Sequence, residues 1–267
     1  MHTVSADLNG DQQEDFLVSE FGYHVGRLAW YEGQSATRFK RHVLKNKPGA
    51  IQSVVRDIND DGRPDVMTLF SQGNEGIFVF YNEGNGHFRE EQVLQFPPSY
   101  GSTDFELVDF NGDGALDILY TAGDNADYRP VMKPYHGIRV FLNDGLNQFE
   151  EAYFFPLNGA YSATADDFDG DGDLDIAAIS FFPDYATTSK ESFVYLENEG
   201  NLQFSPTTFA NSDMGRWLTL DRGDVDGDGD ADLILGSFSA LQLGTSYVPE
   251  ALANRWTQEG PSAVVLE

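Results

Sequence analysis

Aspartate is where this sequence could do chemistry. Five nine-residue stretches carry it at alternate positions: DLNGDQQED from Asp7, DINDDGRPD from Asp57, DFNGDGALD from Asp109, DFDGDGDLD from Asp167 and DVDGDGDAD from Asp224. The pattern D-x-[DN]-x-D-G-x-x-D recurs every 50 to 58 residues across the chain. Carboxylates this crowded repel one another unless water solvates them or a cation joins them. Positions 1, 3 and 5 put side chains on one side of a tight turn. Position 6 lets the backbone reverse, position 7 can offer its carbonyl, and position 9 returns a carboxylate from the next strand. A set made only of oxygens suits Ca²⁺, which takes six to eight of them at roughly 2.3–2.6 Å, better than Mg²⁺, which demands octahedral geometry and keeps its waters.

The candidate ligands are therefore Asp7, Asn9, Asp11, Gln13 and Asp15; Asp57, Asn59, Asp61, Arg63 and Asp65; Asp109, Asn111, Asp113, Ala115 and Asp117; Asp167, Asp169, Asp171, Asp173 and Asp175; and Asp224, Asp226, Asp228, Asp230 and Asp232. The fourth residue of each set contributes through its carbonyl. Up to five Ca²⁺ would fit. An EF-hand would need a glutamate at position 12 between helices. That position holds Val18, Thr68, Tyr120, Ala178 and Leu235, each inside an apolar run. A metal-free acidic turn explains one copy well, since Asp, Asn and Gly are ordinary turn residues; five copies holding the same positions favour the ion. Copy one has Gln12 where the others have Gly, and Gln resists positive φ. Copies four and five alone carry four carboxylates, so the first site is expected to bind weakest and these two tightest.

The wider composition is restrictive. Among 267 residues, Lys and Arg total 16 against 44 Asp and Glu, for a net charge of −28. Nucleic acids and anionic membrane surfaces would be repelled, leaving cations, basic proteins and neutral glycans as partners. The absence of cysteine excludes disulfides, a thiolate metal site and a cysteine nucleophile. No apolar run approaches the roughly 20 residues needed to span a bilayer, so no direct membrane insertion is expected. No signal peptide is visible either, because the opening MHTVSADLNG already reads as a repeat. An extracellular, cell-surface or periplasmic location would require a targeting segment removed beforehand.

The loops need elements to position them, and the flanks supply these. Before each loop stands HTVSA, IQSVVR, FELV, YSATA or RWLTL; after it, FLVSEF, VMTLF, ILYTA, IAAIS or LILGSF. A third set follows (GRLAWYEG, GIFVFYNEG, GIRVFLNDG, ESFVYLENEG), then a turn and a fourth (RFKRHVL, HFREEQVLQF, QFEEAYFF, LQFSPTTF). Alternation, β-branched and aromatic residues, and Asn-Gly turns mark strands, and no stretch shows sustained helical periodicity. Each unit is thus a four-stranded antiparallel meander that must stack on its neighbours. The expected fold is an all-β propeller of one domain, with approximate blades 1–47, 48–99, 100–157, 158–211 and 212–267. A β-sandwich is the runner-up, but it leaves the regular loop unexplained. The last blade ends at SAVVLE, a third strand, which suggests a piece of a larger propeller.

The acidic loop, its flanking strands and the GSF that follows in copy five resemble the FG-GAP/VCBS repeats of integrin-like propellers. The MKPYHG stretch, Met132 to Gly137, is similar to bacterial VCBS-repeat proteins. The resemblance covers essentially the whole chain. It implies a propeller with calcium between the first two strands of each blade, and it implies no single activity.

In such a meander the second-to-third-strand loops gather on the face opposite the acidic loops, and these are the unequal part of the sequence. Together with the blade connections, which lie on the same face, they offer Tyr23, His24, Asp124, Asp127, Asp184, Trp217 and Trp256, with Tyr128, Arg129, Lys133, Tyr135, His136 and Tyr185 as the candidate ligand-binding set. Such groups could grip a glycan or a protein, or simply pack the loops. A recognition module is the favoured reading and catalysis the less favoured one. A polysaccharide lyase would be its concrete form, with Arg129 and Lys133 neutralising a uronate and Tyr135 or His136 as base; the net charge of −28 speaks against polyanionic substrates. A purely architectural segment of a large surface protein is the third reading. No Gly-rich phosphate loop, G-x-S-x-G or H-E-x-x-H is present.

Overall fold

The computed structural model describes residues 2–22, 24–124, 131–238 and 247–267. All-β blades of a propeller account for it. Blade one is β1 (His2–Ala6), β2 (Asp15–Glu20), β3 (Arg27–Ser35) and β4 (Arg38–Lys45). Blade two is β5 (Ala50–Arg56), β6 (Asp65–Phe70), β7 (Gly76–Gly84) and β8 (His87–Gln95). Blade three is β9 (Ser102–Val108), β10 (Asp117–Ala122), β11 (Gly137–Asn143) and β12 (Phe149–Pro156). Blade four is β13 (Ala160–Asp166), β14 (Asp175–Ser180), β15 (Phe193–Asn198) and β16 (Phe204–Thr207). Blade five has three strands among the described residues: β17 (Trp217–Gly223), β18 (Asp232–Ser237) and β19 (Ala263–Leu266). Each sheet is a meander in sequence order, with antiparallel neighbours.

Burial grades across each blade. The second strands DVMTLF, DILYTA and DIAAIS are buried at every position, because both faces of the sheet are covered. The fourth strands β8 and β12 hold only exposed and half-buried residues. Two compact units result, residues 1–102 with 143–149, and residues 103–142 with 150–267. In the first, Leu17, Leu28, Trp30, Val66, Phe70, Phe78 and Phe80 form one core. In the second, blades three and four share a core that includes Leu119, Ile138, Ile176 and Leu196, while Trp217, Leu233 and Leu235 join blade five to blade four.

Polar stitches run through these apolar layers. Ser19, Ser53 and Thr68 form a buried hydroxyl chain across blades one and two, with spacings of 2.9 and 2.8 Å. The hairpin turn of blade two leans on blade one: Asn82 Nδ2 donates to the Leu8 carbonyl at 2.9 Å. A Cβ on Gly86 would stand 2.9 Å from the Trp30 ring, so only glycine allows this approach. In the second unit Arg222 ties three first strands together, meeting Glu106 at 2.6 Å and Asp166 at 2.9 Å.

Among the described residues one α-helix occurs, although no stretch shows sustained helical periodicity. Helix α1 (Glu250–Glu259) sits in the long connection between β18 and β19. Pro249 precedes it, Gly260 closes it, and Leu252 and Trp256, four apart, are its buried residues. Ten residues with a single apolar pair give too short a periodic signal to stand out, and docking rather than propensity holds the helix: Trp256 Nε1 donates to the Asp213 carbonyl at 2.8 Å.

Replacing Ser53 by Ala strips both Ser19 and Thr68 of a partner. We expect a loss of about 1–3 kcal/mol in chemical denaturation. The triple change Ser19→Ala, Ser53→Ala and Thr68→Val, which leaves no orphaned hydroxyl, should recover part of that loss.

Candidate metal centres

Each acidic loop is a ladder of side chains capping the backbone ahead of them. At position 1, Asp7 and Asp109 gather the N–H groups of positions 4, 5 and 6 at 2.8–3.2 Å. At position 3, the side-chain oxygens of Asn9, Asn59, Asn111, Asp169 and Asp226 accept from the N–H of position 5 at 2.9–3.1 Å. At position 5, Asp11, Asp61, Asp113, Asp171 and Asp228 accept from the N–H of position 7 at 2.8–3.2 Å. Alternation in the sequence thus becomes convergence: every second side chain turns inward to the same hollow.

The backbone requires positive φ at positions 4 and 6. Glycine supplies it in copies three to five, as at Gly170 and Gly172 (77° and 99°). In copy one Gln12 takes the conformation at 67°, and in copy two Asp60 does so at 56°. The side chain expected to resist the turn therefore adopts it, at a strain cost of about 1 kcal/mol.

The five hollows differ in who satisfies the position-5 carboxylate. Asn9 donates to Asp11 Oδ2 at 3.2 Å, Asn111 donates to Asp113 Oδ2 at 3.0 Å, and Arg63 pairs with Asp61. In loops four and five the corresponding residues, Asp169 and Asp226, have no proton to give. There the carboxylates crowd instead: oxygens of Asp167, Asp169 and Asp171 lie within 4.8 Å of one another, as do those of Asp224, Asp226 and Asp232. Asp167 Oδ2 accepts from Gly172, whereas its buried Oδ1 has no hydrogen-bond partner. In loop five Asp230 is pushed up by its hydrogen bond to Asp228 and the charge of that neighbour. A buried, unsatisfied carboxylate oxygen among other carboxylates is a donor set that fits a hard divalent cation.

Position 9 has a second task. Asp15, Asp65, Asp117, Asp175 and Asp232 are buried. One oxygen takes the N–H of position 2, as in Leu8→Asp15 at 2.9 Å, Ile58→Asp65 at 3.1 Å and Val225→Asp232 at 2.7 Å. The other takes an N–H at the end of the third strand: Gly33→Asp15 at 2.9 Å, Asn82→Asp65 at 2.7 Å and Asn198→Asp175 at 2.8 Å. Spacing alone presents these residues as ligands; the structure makes them clasps between loop and sheet. A carboxylate oxygen that accepts one N–H keeps a lone pair, and Asp232 still reaches its loop partners. Burial raises the carboxyls of Asp15, Asp65 and Asp175 above the ordinary range. Of the position-7 residues Gln13, Arg63, Ala115, Asp173 and Asp230, the N–H is fixed by position 5, which sets the orientation of the following peptide.

Residues 7–68 and 57–120 match the family model of the FG-GAP-like repeat. The chain carries FG-GAP-like repeats. A T-cell immunomodulatory protein homolog of Plasmodium falciparum (isolate 3D7) is 26% identical over 170 residues, covering 55% of this chain and 22% of that protein. The chain thus spans about a fifth of that relative's length. Among solved structures, the Bombyx mori GH32 beta-fructofuranosidase BmSUC1 is similar at 11% identity and a TM-score of 0.44, over 95% of this chain and 56% of that one. No described helix is long and apolar enough to cross a membrane.

At the other end of the blades, four of the expected ligand-binding residues, His136, Tyr185, Trp217 and Trp256, are buried. Tyr23, Asp127, Tyr128 and Arg129 lie outside the described residues. Trp217 is buried and donates to the Ser212 carbonyl at 2.6 Å. Tyr185 is buried against Tyr247 and Trp256, its hydroxyl donating to the Phe181 carbonyl at 3.1 Å. Beside them stands a residue the sequence did not single out, Arg216, buried with its guanidinium 3.8 Å over the Phe181 ring and bonded to Tyr247. Nothing in its local sequence signals that position. Lys133 and Tyr135 are half-buried, while His24, Asp124, Val131 and Met132 are exposed.

His136 is the exception within this packing. It is 1% exposed, and neither ring nitrogen has a hydrogen-bond partner. Desolvation, with Lys133 and Arg139 adding positive charge, lowers its pKa from 6.5 to about 4. A group depressed in the folded state is protonated more readily in the unfolded chain. Its contribution is therefore intact above pH 6.5 and lost as pH falls toward 4. Urea titrations across that window should show a steeper loss of stability for the native chain than for His136→Leu; parallel curves would disprove the assignment.

Proposed function

We propose that this chain is a calcium-clasped recognition scaffold that binds a partner protein through its second-to-third-strand loops. The observation that carries the clasp is the buried, unpartnered Oδ1 of Asp167 within the Asp167–Asp169–Asp171 set. Loops four and five would hold the ion through Asp167, Asp169, Asp171 and Asp175, and through Asp224, Asp226, Asp228 and Asp232, with the carbonyls of Asp173 and Asp230. Loops one to three would bind more weakly, because their own Asn or Arg groups already satisfy a carboxylate. When bound, calcium supplies the counter-charge that lets these loops set. Calcium modules of extracellular proteins work at roughly 10⁻⁴–10⁻³ M, a range that solvent-open loops of this kind suit, and this favours an extracellular, cell-surface or periplasmic setting.

A protein partner is favoured over a glycan for two reasons. The similar P. falciparum protein is named an immunomodulatory homolog. The aromatics that would have stacked on sugar rings, Tyr185, Trp217 and Trp256, are buried in the scaffold. Among the described residues, these loops leave His24, Val25, Asp124, Val131 and Met132 exposed.

Calorimetry and melting decide the first half. At calcium a hundredfold above Kd, stability should rise by about 2.7 kcal/mol per independent site and return to baseline with EDTA. Asp167→Ala and Asp224→Ala should each remove one tight site, whereas Asp7→Ala should barely change the titration. A melt indifferent to chelation would sink the clasp. For the second half, a displayed peptide library and a glycan array should be screened in calcium. Peptide binders mapping to residues 131–136 are expected, and glycan binding at the same loops would replace the protein reading.

A further inference from the structure

Between acidic loops three and four, at the junction of two four-stranded blades, lies a cavity of about 580 Å³. Loop three contributes the Asp109 carboxylate and loop four that of Asp173. Leu142, Leu174 and Leu202 give the cavity an apolar side, and Asn198 and Asn201 bring amides from the β15–β16 turn. Asp109 is already engaged by the N–H groups of Gly112, Asp113 and Gly114. Asp173 differs. Its carbonyl serves the proposed calcium site, while its exposed carboxylate has no hydrogen-bond partner among the described residues.

The matching junction between blades one and two is stitched. Asn82 and Asn198 correspond, because the position-9 aspartate of its own blade holds the N–H of each. Asn82 Nδ2 donates to the Pro64 carbonyl of its own loop at 3.1 Å and to the Leu8 carbonyl of the blade before at 2.9 Å. Asn198 Nδ2 repeats the first bond, to the Leu174 carbonyl at 3.1 Å, and among the described residues makes no second one. The loops differ at position 7 as well: Asp173 of loop four corresponds to Arg63 of loop two. There the guanidinium donates through Nε to the Asn82 carbonyl at 2.5 Å and pairs with Asp61. Blade two thus seats a guanidinium against this turn, where blade four has a cavity lined by a carboxylate.

We propose that this cavity binds an arginine side chain presented by a partner protein. The guanidinium would meet the Asp173 carboxylate and the Asn198 carbonyl, the second contact repeating that of Arg63 with Asn82. Its methylene stem would lie along Leu142, Leu174 and Leu202. Arginine suits the site better than lysine, because a planar fork reaches a carboxylate and a carbonyl at once. The net charge of −28 draws such a cation toward the cavity. The volume falls within the roughly 300–1,000 Å³ of ordinary ligand sites and leaves room for residues flanking the arginine. This site belongs to the acidic-loop face. It is separate from the loops assigned above and stands or falls independently of them.

The probe is N-acetyl-arginine methylamide, with N-acetyl-citrulline methylamide as its neutral isostere. Each is titrated into the isotope-labelled protein by NMR, in saturating calcium and at physiological ionic strength. Saturable shifts are expected at the amides of Gly172, Asp173, Asn198 and Asn201, with citrulline binding at least tenfold more weakly. Asp173→Asn should weaken arginine binding at least tenfold. Glu197→Gln, the same charge change at an exposed residue outside the cavity, should leave it unmoved. Asp173→Arg, which supplies the guanidinium in cis as loop two does, should abolish binding, and melting curves in calcium check that each variant is folded. No saturation, equal affinity for citrulline, or shifts confined to other loops would overturn the proposal. So would equal losses in Asp173→Asn and Glu197→Gln, which would reduce the attraction to net charge alone. Embedding the arginine in the peptide Gly-Ala-Arg-Ala-Gly should tighten binding; weaker binding than that of the capped residue would give the cavity to a free guanidinium compound instead of a partner protein.

Discussion

A buried carboxylate at the first residue of each second strand holds three pieces of chain together. Asp15, for example, takes the N–H of Leu8 in the loop and of Gly33 at the end of β3 while sitting at the head of β2. Burying a charge is unfavourable unless donors or a cation compensate it. Burial accordingly raises the carboxyls of Asp15, Asp65 and Asp175. The acidic loop, the third-strand turn and the second strand can settle only together, around that group. On the proposed reading calcium supplies what the backbone amides leave unmet, and the loop with the unpartnered Asp167 oxygen depends on it most.

From this clasp the blade follows. With one end of the meander fixed, the second strand is held in register and buries both faces, as the all-buried strands β6, β10 and β14 show. Neighbouring blades then meet through small, specific contacts rather than through bulk alone. Asn82 reaches the Leu8 carbonyl, Gly86 fits under Trp30, and Ser53 bridges Ser19 and Thr68. The far end of each blade carries no such constraint, so its loops can differ in length, and one of them accommodates a helix.

Much of this is legible in the residues alone. Strands declare themselves by alternation and by Asn-Gly turns, and the acidic loops by repetition, because both are local rules with short periods. Helix α1 is not legible in that way: Leu252 and Trp256 look like scattered loop residues until Asp213 is seen to receive the tryptophan N–H. The burial of the aromatic residues Tyr185, Trp217 and Trp256 is hidden from the sequence for the same reason. Residue type and position in a loop say nothing about which face is covered, and burial is set by residues distant in the chain. Gln12 shows the converse, a local preference overridden because the surrounding hydrogen bonds fix its φ at 67°.

The sequence by itself determined the inventory of oxygen donors, since spacing two residues apart in a tight turn suffices to aim Asp167, Asp169 and Asp171 at one point. Only the tertiary structure decided how those donors are used. It bound the position-9 aspartates to the sheet and satisfied Asp11 and Asp113 with neighbouring asparagine amides, leaving one oxygen of Asp167 without a partner. It also buried Tyr185, Trp217 and Trp256, whose residue type alone does not say whether they are covered. The physical reason is common to both. Whether a polar atom is paired, or an apolar surface covered, depends on groups brought near by folding, and a local pattern carries no record of them.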